Sequence, residues 1–241
     1  MLTLEHISWS APGGDAIIKD VSAKIDDGKL VVVTGPNGGG KTTLAKIIAG
    51  IETPDTGKIY FDGKDITDLD VTQRAKLGIS FAFQQPVRFK GITVRDLLEL
   101  AAGKAFSEEE LCDILGKVGL CTYDYMDREI NAALSGGEIK RIEIASVLAR
   151  NTKLSIFDEP EAGIDLWSFN ELIGVFEDMR SKRHGTQMII SHQERILQIA
   201  DEILVIADGK VRTQGDAKTV LPTLLQGEKV TDCPVGRANR A

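Results

Sequence analysis

The chain has 241 residues, 42% of them hydrophobic and 27% charged, enough for one substantial core and a small second lobe. Its net charge of −7 argues against a general nucleic-acid binder, and no apolar stretch is long enough to span a bilayer. Met1 leads directly into strand-like sequence without a secretory pattern, and Cys112, Cys121 and Cys233 lack metal-ligand spacing. A cytoplasmic chain with free thiols and no direct membrane insertion is therefore expected.

Two runs of alternating polar and apolar residues, Leu2-Leu4-His6 and Ile17 to Ile25, flank Pro12-Gly13-Gly14 and predict an antiparallel hairpin, with Trp9 just before its turn. Leu30 to Thr43, LVVVTGPNGGGKTT, begins as a short β-branched run of the kind buried on both faces. It breaks into glycines and restarts at Lys41 as a helix with Leu44, Ile47 and Ile48 on one side. Gly57 to Gly63 is a third short strand that can join the hairpin. A brief helix between Thr72 and Gly78 leads into an apolar strand, Ile79 to Phe83, that stops at Gln84-Gln85-Pro86.

From Pro86 to about Arg150 the periodicity is helical. Leu97-Leu98-Leu100-Ala101 and Leu111-Ile114-Leu115-Val118 mark two helices, the second opened by a Ser107/Glu110 capping box. Leu134-Ser135-Gly136-Gly137-Glu138 opens a third that runs through Ile142, Ile144, Ala145 and Leu148. Strands then return: Leu154 to Phe157 ends in Asp158-Glu159, Gln187 to Ile190 ends in Ser191-His192, and Glu202 to Ile206 follows. A helix from Leu166 to Met179 lies between the first two, and the basic run at 180–183 reads as its solvated end. Strands alternating with helices predict right-handed crossovers and a mostly parallel sheet, with ligands at the strands' C-terminal ends. The expected organisation is an α/β core at 1–85 and 151–225 with an antiparallel β part, a helical lobe at 86–150, and a polar, loosely ordered tail at 226–241.

Gly35-Pro36-Asn37-Gly38-Gly39-Gly40-Lys41-Thr42-Thr43 fits the P-loop pattern G-x-x-x-x-G-K-[ST] in its strand–loop–helix context. A polyanion explains the residue types. Glycines let backbone N–H groups wrap a phosphate in front of a helix N-terminus, Lys41 adds a full positive charge, and the Thr42 hydroxyl is a hard ligand for Mg²⁺. ATP and Mg²⁺ are the expected ligands. An acidic residue at a neighbouring strand tip holds the metal in P-loop enzymes, a role for Asp158, and Glu159 can then act as general base toward a water in line with the γ-phosphate. Ser135, Gly136 and Gly137 place a hydroxyl and exposed amides at a helix N-terminus, which is either a second anion site or a simple helix start.

With these motifs in this order, the chain resembles the P-loop nucleotide hydrolases called ABC-type ATPases over residues 1 to about 225. The resemblance implies that Ser135, Gly136 and Gly137 bind the γ-phosphate held by a second copy of the chain. It also implies that Gln84 is the Q-loop glutamine contacting Mg²⁺, that Ala162 to Asp165 is the D-loop, and that His192 is the switch histidine at the γ-phosphate. The tyrosine that often stacks on adenine is missing; Ala11 stands there, and Trp9 either replaces it or belongs to the core.

Within the family two roles compete. Ser135 to Arg141 (SGGEIKR), Ala82 to Val87 (AFQQPV) and Ser191 to Leu197 (SHQERIL) are similar to the SufC type of iron–sulfur cluster assembly ATPase. Its corresponding stretches read S-G-G-E-K-K-R, A-F-Q-x-P-V and T-H-Y-Q-R-I-L, and it implies a SufB- or SufD-like scaffold partner. Pro160 to Asp165 (PEAGID) departs from that type's S/T-D-S-G-L-D. The alternative is the nucleotide-binding subunit of a membrane transporter, whose signature usually reads S-G-G-Q-x-Q-R. Either way, Val87, Phe89 and Ile92 are expected to line a groove for the partner.

Overall fold

The computed structural model describes residues 1–85, 87–131, 133–181 and 185–227, with the side chains of 166, 167, 226 and 227 excepted. Pro86, the basic pair at 182–183, His184, Cys233 and the expected tail beyond 227 lie outside the described residues.

The elements run β1 (Leu2–Ser10), β2 (Ala16–Ile25), β3 (Leu30–Thr34), α1 (Lys41–Ala49), β4 (Thr56–Phe61), β5 (Lys64–Asp65), α2 (Val71–Lys76), β6 (Ile79–Ala82), α3 (Val94–Ala102), α4 (Glu108–Lys117), α5 (Thr122–Tyr125) and α6 (Gly136–Arg150). They continue with β7 (Leu154–Asp158), α7 (Leu166–Ser181), β8 (Thr186–Ile190), α8 (Glu194–Ile199), β9 (Glu202–Ala207), β10 (Lys210–Asp216) and α9 (Ala217–Gly227). Among the described residues they form two sheets, an antiparallel one ordered β2-β1-β4-β5 and a larger one ordered β10-β9-β3-β8-β7-β6. In the larger sheet β9, β3, β8, β7 and β6 are parallel, and only β10 at the edge runs antiparallel.

Every residue of β3, β7 and β8 is buried, because helices cover one face of the large sheet and the small sheet with α1 covers the other. The period-2 alternation assigns residues to the two sides. Leu30 and Val32 pack with the helices, whereas Val31 and Val33 pack with α1 and with Leu2, Leu4 and Ile25 of the hairpin. Helices α3, α4 and α6 share one continuous apolar cluster with the sheet, so the helical segment has no separate core: Leu98, Leu111 and Ile142 belong with Phe157 and Ile189.

The elements not anticipated include the short β5 and α5 and, at the C-terminal side, β10 and α9. Strand β10 is mostly polar and edge-placed, so it lacks a buried alternation to betray it. Helix α9 carries Pro222 in its interior, a residue that ordinarily argues against a helix. The expected Ser107/Glu110 capping box is present, and Asp70/Gln73, Thr93/Asp96 and Ser135/Glu138 add three more.

Candidate functional site

The tips of β3, β6, β7 and β8 converge at the glycine loop between β3 and α1. Gly35 has φ 132°, and a Cβ there would lie 2.0 Å from the Ile206 carbonyl oxygen. Gly40, the α1 N-cap, has φ 101°, and a Cβ would lie 2.7 Å from Ile18 Cδ1. No side chain caps α1, so its first N–H groups face the loop interior as donors for an anion.

Lys41 is buried at the base of this loop, and its Nζ donates to the carbonyls of Gly35 (2.8 Å) and Pro36 (3.0 Å). Burial lowers its pKa against the opposing pull of Glu159 and Asp158. The Thr42 hydroxyl donates to Asp158 Oδ1 at 3.0 Å, and Asp158 is 1% exposed. Burial raises the Asp158 pKa, with the Thr42 bond opposing it. A buried carboxylate beside a hydroxyl is a hard-oxygen donor pair that a divalent cation would relieve of its desolvation cost, and the donor set fits Mg²⁺.

Glu159 adopts φ 45°, rare for a residue with a side chain. It is held by its own N–H to Ile190 O (3.0 Å) and by Ala162 N–H to its carbonyl (3.0 Å). Its Oε2 accepts from Gln84 Nε2 at 2.5 Å. The His192 pKa is lowered by burial, then by the Lys41 charge, with Glu159 opposing, so the ring is held toward its neutral form.

An open cleft of about 500 Å³ is lined by Asn37, Gly38, Gly40 to Thr43, Gln84 and Glu159, with Asp158 reached through the Thr42 hydroxyl; His192 does not line it but borders a neighbouring cavity with Gly35 and Pro36. Ile17 of β2 also lines the cleft, a contribution its exposed-strand alternation concealed. Trp9 does not line the cleft but packs, partly buried, on the core beneath the small sheet.

Ser135, Gly136, Gly137 and Asp165 do not line the cleft of their own chain. Ser135 Oγ accepts from Glu138 N–H (3.2 Å), while Glu138 Oε2 accepts from Ser135 N–H (2.6 Å). A Cβ on Gly137 would lie 3.4 Å from Gly163 O, so the start of α6 abuts the 162–165 loop. Asp165 accepts from Ser168 N–H (3.1 Å) and Ser168 Oγ (2.7 Å) at the start of α7.

Sequence reasoning overlooked a second layer. Lys140, 1% exposed, donates from α6 to the Phe83 carbonyl, and Glu143 accepts the Phe83 N–H at 2.7 Å. The signal was available: Lys140 stands four residues before Ile144, on the apolar side of the helix.

A glycine loop closing on a lysine, a helix N-terminus and a strand-tip Asp-Glu pair define a P-loop nucleoside triphosphatase. Residues 18–162 match the ABC transporter family, and the chain belongs to the ATP-binding, ATP-hydrolysing proteins of that family. It is 39% identical over 216 residues to an uncharacterized ABC transporter ATP-binding protein of Methanocaldococcus jannaschii, covering 86% of each. Identity is 32% over 214 residues with the sulfate/thiosulfate import ATP-binding protein CysA of Synechocystis, covering 86% of this chain and 59% of that one. A probable ATP-dependent transporter of Cyanophora paradoxa, ycf16, is 30% identical over 229 residues, 89% of this chain and 88% of its own. An ATP-binding cassette of an ABC transporter in its ADP conformation has a TM-score of 0.79 at 27% identity, over 95% of this chain and 96% of that one. A dimeric cassette bound to ADP and Pi shares the fold, with a TM-score of 0.80 at 24% identity over 90% and 99% of the two chains. No described helix is long and apolar enough to cross a membrane.

Proposed function

We propose that the chain is the nucleotide-binding subunit of an ABC transporter, hydrolysing Mg-ATP at the Gly35–Thr43 loop and transmitting the closure of two copies to a membrane permease. The observation that carries the hydrolytic part is the single cluster joining Lys41, Thr42, Asp158, Glu159 and Gln84 at the cleft. The permease is supported by relatives named as transporter and import ATP-binding proteins.

Lys41 and the loop amides bind the β- and γ-phosphates, and Ile17 offers apolar surface toward the base. Thr42, Asp158 and Gln84 are the side chains to hold Mg²⁺, which when bound screens phosphate charge and polarises the γ-phosphate. Glu159 takes the proton of a water whose oxygen attacks Pγ; the bond from Pγ to the β-phosphate oxygen breaks, and ADP and inorganic phosphate result. Neutral His192 can donate an N–H to the γ-phosphate. Ser135 to Gly137 and Asp165, left outside their own cleft, would complete the site of a second copy facing head to tail.

A second reading, an ATPase for a soluble iron–sulfur scaffold of the SufB or SufD kind, is favoured by Lys140. This is a position where SGGEIKR departs from the usual transporter signature, and its side chain is built into the joint between α6 and the Q-loop. Both readings use the same groove. Phe83, Val87 and Phe89 are 36%, 49% and 36% exposed, and they border a cavity of about 140 Å³ with Phe81, Leu97 and Ile142. Ile92, expected there, instead pairs its carbonyl with Ile130 N–H (3.0 Å) and does not line the cavity.

Pull-down from separate membrane and cytosolic fractions, with wild type and Phe89→Ala in parallel, tests the assignment. Capture of a polytopic permease by wild type, weakened about 30- to 1,000-fold in the variant, is the expected result. Capture of a soluble scaffold, lost in the same way, would replace the transporter reading with the second.

A further inference from the structure

The loop after Glu159 is where this sequence leaves the SufC-type pattern, and the structure gives Glu161 a specific partner there. Glu161 Oε1 accepts the hydroxyl of Ser191 at 2.5 Å. Ser191 is completely buried and stands immediately before His192; its Oγ in turn accepts the Gln193 N–H at 3.0 Å, and its own N–H goes to Val33 O at 3.2 Å. The hydroxyl has one proton, and it is committed to Glu161. The other carboxyl oxygen of Glu161 is buried and has no hydrogen-bond partner among the described residues. Burial raises the Glu161 pKa, the Ser191 bond and the residue's own backbone N–H oppose the rise, and the nearby Glu159 charge adds to it. A carboxyl half-satisfied in this way is costly for a surface loop, and loops at functional sites are where such costs are tolerated.

The loop bearing Glu159 and the loop bearing His192 already share one backbone bond, from Glu159 N–H to Ile190 O. The Glu161–Ser191 bond is the side-chain link between the same two loops. We propose that Glu161 is a positioning residue for hydrolysis, setting the loop that presents His192 against the loop that presents Glu159 through the Ser191 hydroxyl. The inference rests on the reading that Glu159 and His192 act on the γ-phosphate. Glu161 does not line the cleft, so the effect expected of it is on turnover and not on ATP binding.

ATP turnover and ATP affinity are measured for wild type, Glu161→Ala, Glu161→Gln, Ser191→Ala and the Glu161→Ala/Ser191→Ala double variant. Glu161→Ala and Ser191→Ala each lower kcat by about 10- to 100-fold, the scale of an ångström-sized misplacement. Affinity stays at the wild-type value. Glu161→Gln, which keeps the length and the acceptor oxygen, restores most of the rate, and the double variant is no slower than either single one. Multiplying losses, a Glu161→Gln as slow as Glu161→Ala, or affinity falling together with turnover would overturn the proposal. If Glu161→Ala does not fold, Ser191→Thr against Ser191→Ala makes the same comparison: threonine retains the hydroxyl and must retain the rate. A wild-type chain that binds ATP without hydrolysing it defeats both this inference and the reading beneath it. A hydrolysing wild type with an equally fast Glu161→Ala defeats this inference alone.

Discussion

Glu159 occupies a left-handed backbone conformation that costs a side-chain-bearing residue on the order of 1–2 kcal/mol, and the β7–β8 hydrogen bond to Ile190 holds it there. The strained backbone presents its carboxylate to Gln84 at the cleft, in the place of the proposed general base. Glu159→Gln keeps the size and the acceptor oxygen but cannot take a proton. It is expected to bind Mg-ATP normally and to hydrolyse it at least ~10²-fold more slowly in a single-turnover assay. Lys41→Ala removes a charge held 2.8 Å from Gly35 O inside the phosphate loop, and should weaken nucleotide binding itself. Wild-type turnover in Glu159→Gln would remove that carboxylate from the mechanism.

Helix α6 spans from the Ser135 motif to the backbone beside Gln84. Its N-terminus carries the capping box of Ser135 and Glu138, and the Glu138 carboxyl is held at a pKa of about 2, first by the Tyr125 hydroxyl and then by Ser135. Its middle carries Lys140 and Glu143, which hold the carbonyl and the N–H of Phe83, the residue before Gln84. A rotation of α6 must therefore move the Q-loop backbone. The titration of Glu138 offers a test of the N-terminal end. Its folded pKa lies below the ordinary 4.5, so its contribution to stability is complete above about 4.5 and is lost as pH falls toward about 2. Tyr125→Phe removes the largest cause of that depression. The variant's stability, followed by circular dichroism in denaturant and normalised to neutral pH, should start to fall near the same pH of about 4.5 but lose less than wild type by about pH 2, because its folded-state pKa is less depressed. Superimposable acid profiles would show that the Tyr125–Glu138 bond is not formed in solution.

At the scale of the molecule, the proposed hydrolytic site is incomplete in one chain: the cleft holds the P-loop, Gln84 and Glu159, while Ser135 to Gly137 lie beside the 162–165 loop. If the γ-phosphate joins two such halves, association depends on ATP and is clearest when hydrolysis is blocked. Light scattering of isolated Glu159→Gln should give a monomer without nucleotide and a dimer with ATP. A dimer of equal strength in both conditions would mean that a different interface dominates.

The parallel-sheet class, the P-loop, the strand-tip Asp158-Glu159 and the order of the helices were legible in the sequence, because each is written in a local pattern. β-branched runs buried on both faces, glycines before a lysine and capping boxes keep their meaning whatever surrounds them. What the tertiary structure decided were relations between residues far apart in the chain. Trp9 and Ile17 sit on paired strands whose bulged register decides which of them reaches the cleft. Lys140 finds Phe83, and Glu161 finds Ser191, at sequence separations of 57 and 30. β10 shows no pattern of its own, since only its pairing to β9 makes it a strand. Such contacts depend on loop closure and on which faces are covered, and a single sequence carries no local record of either.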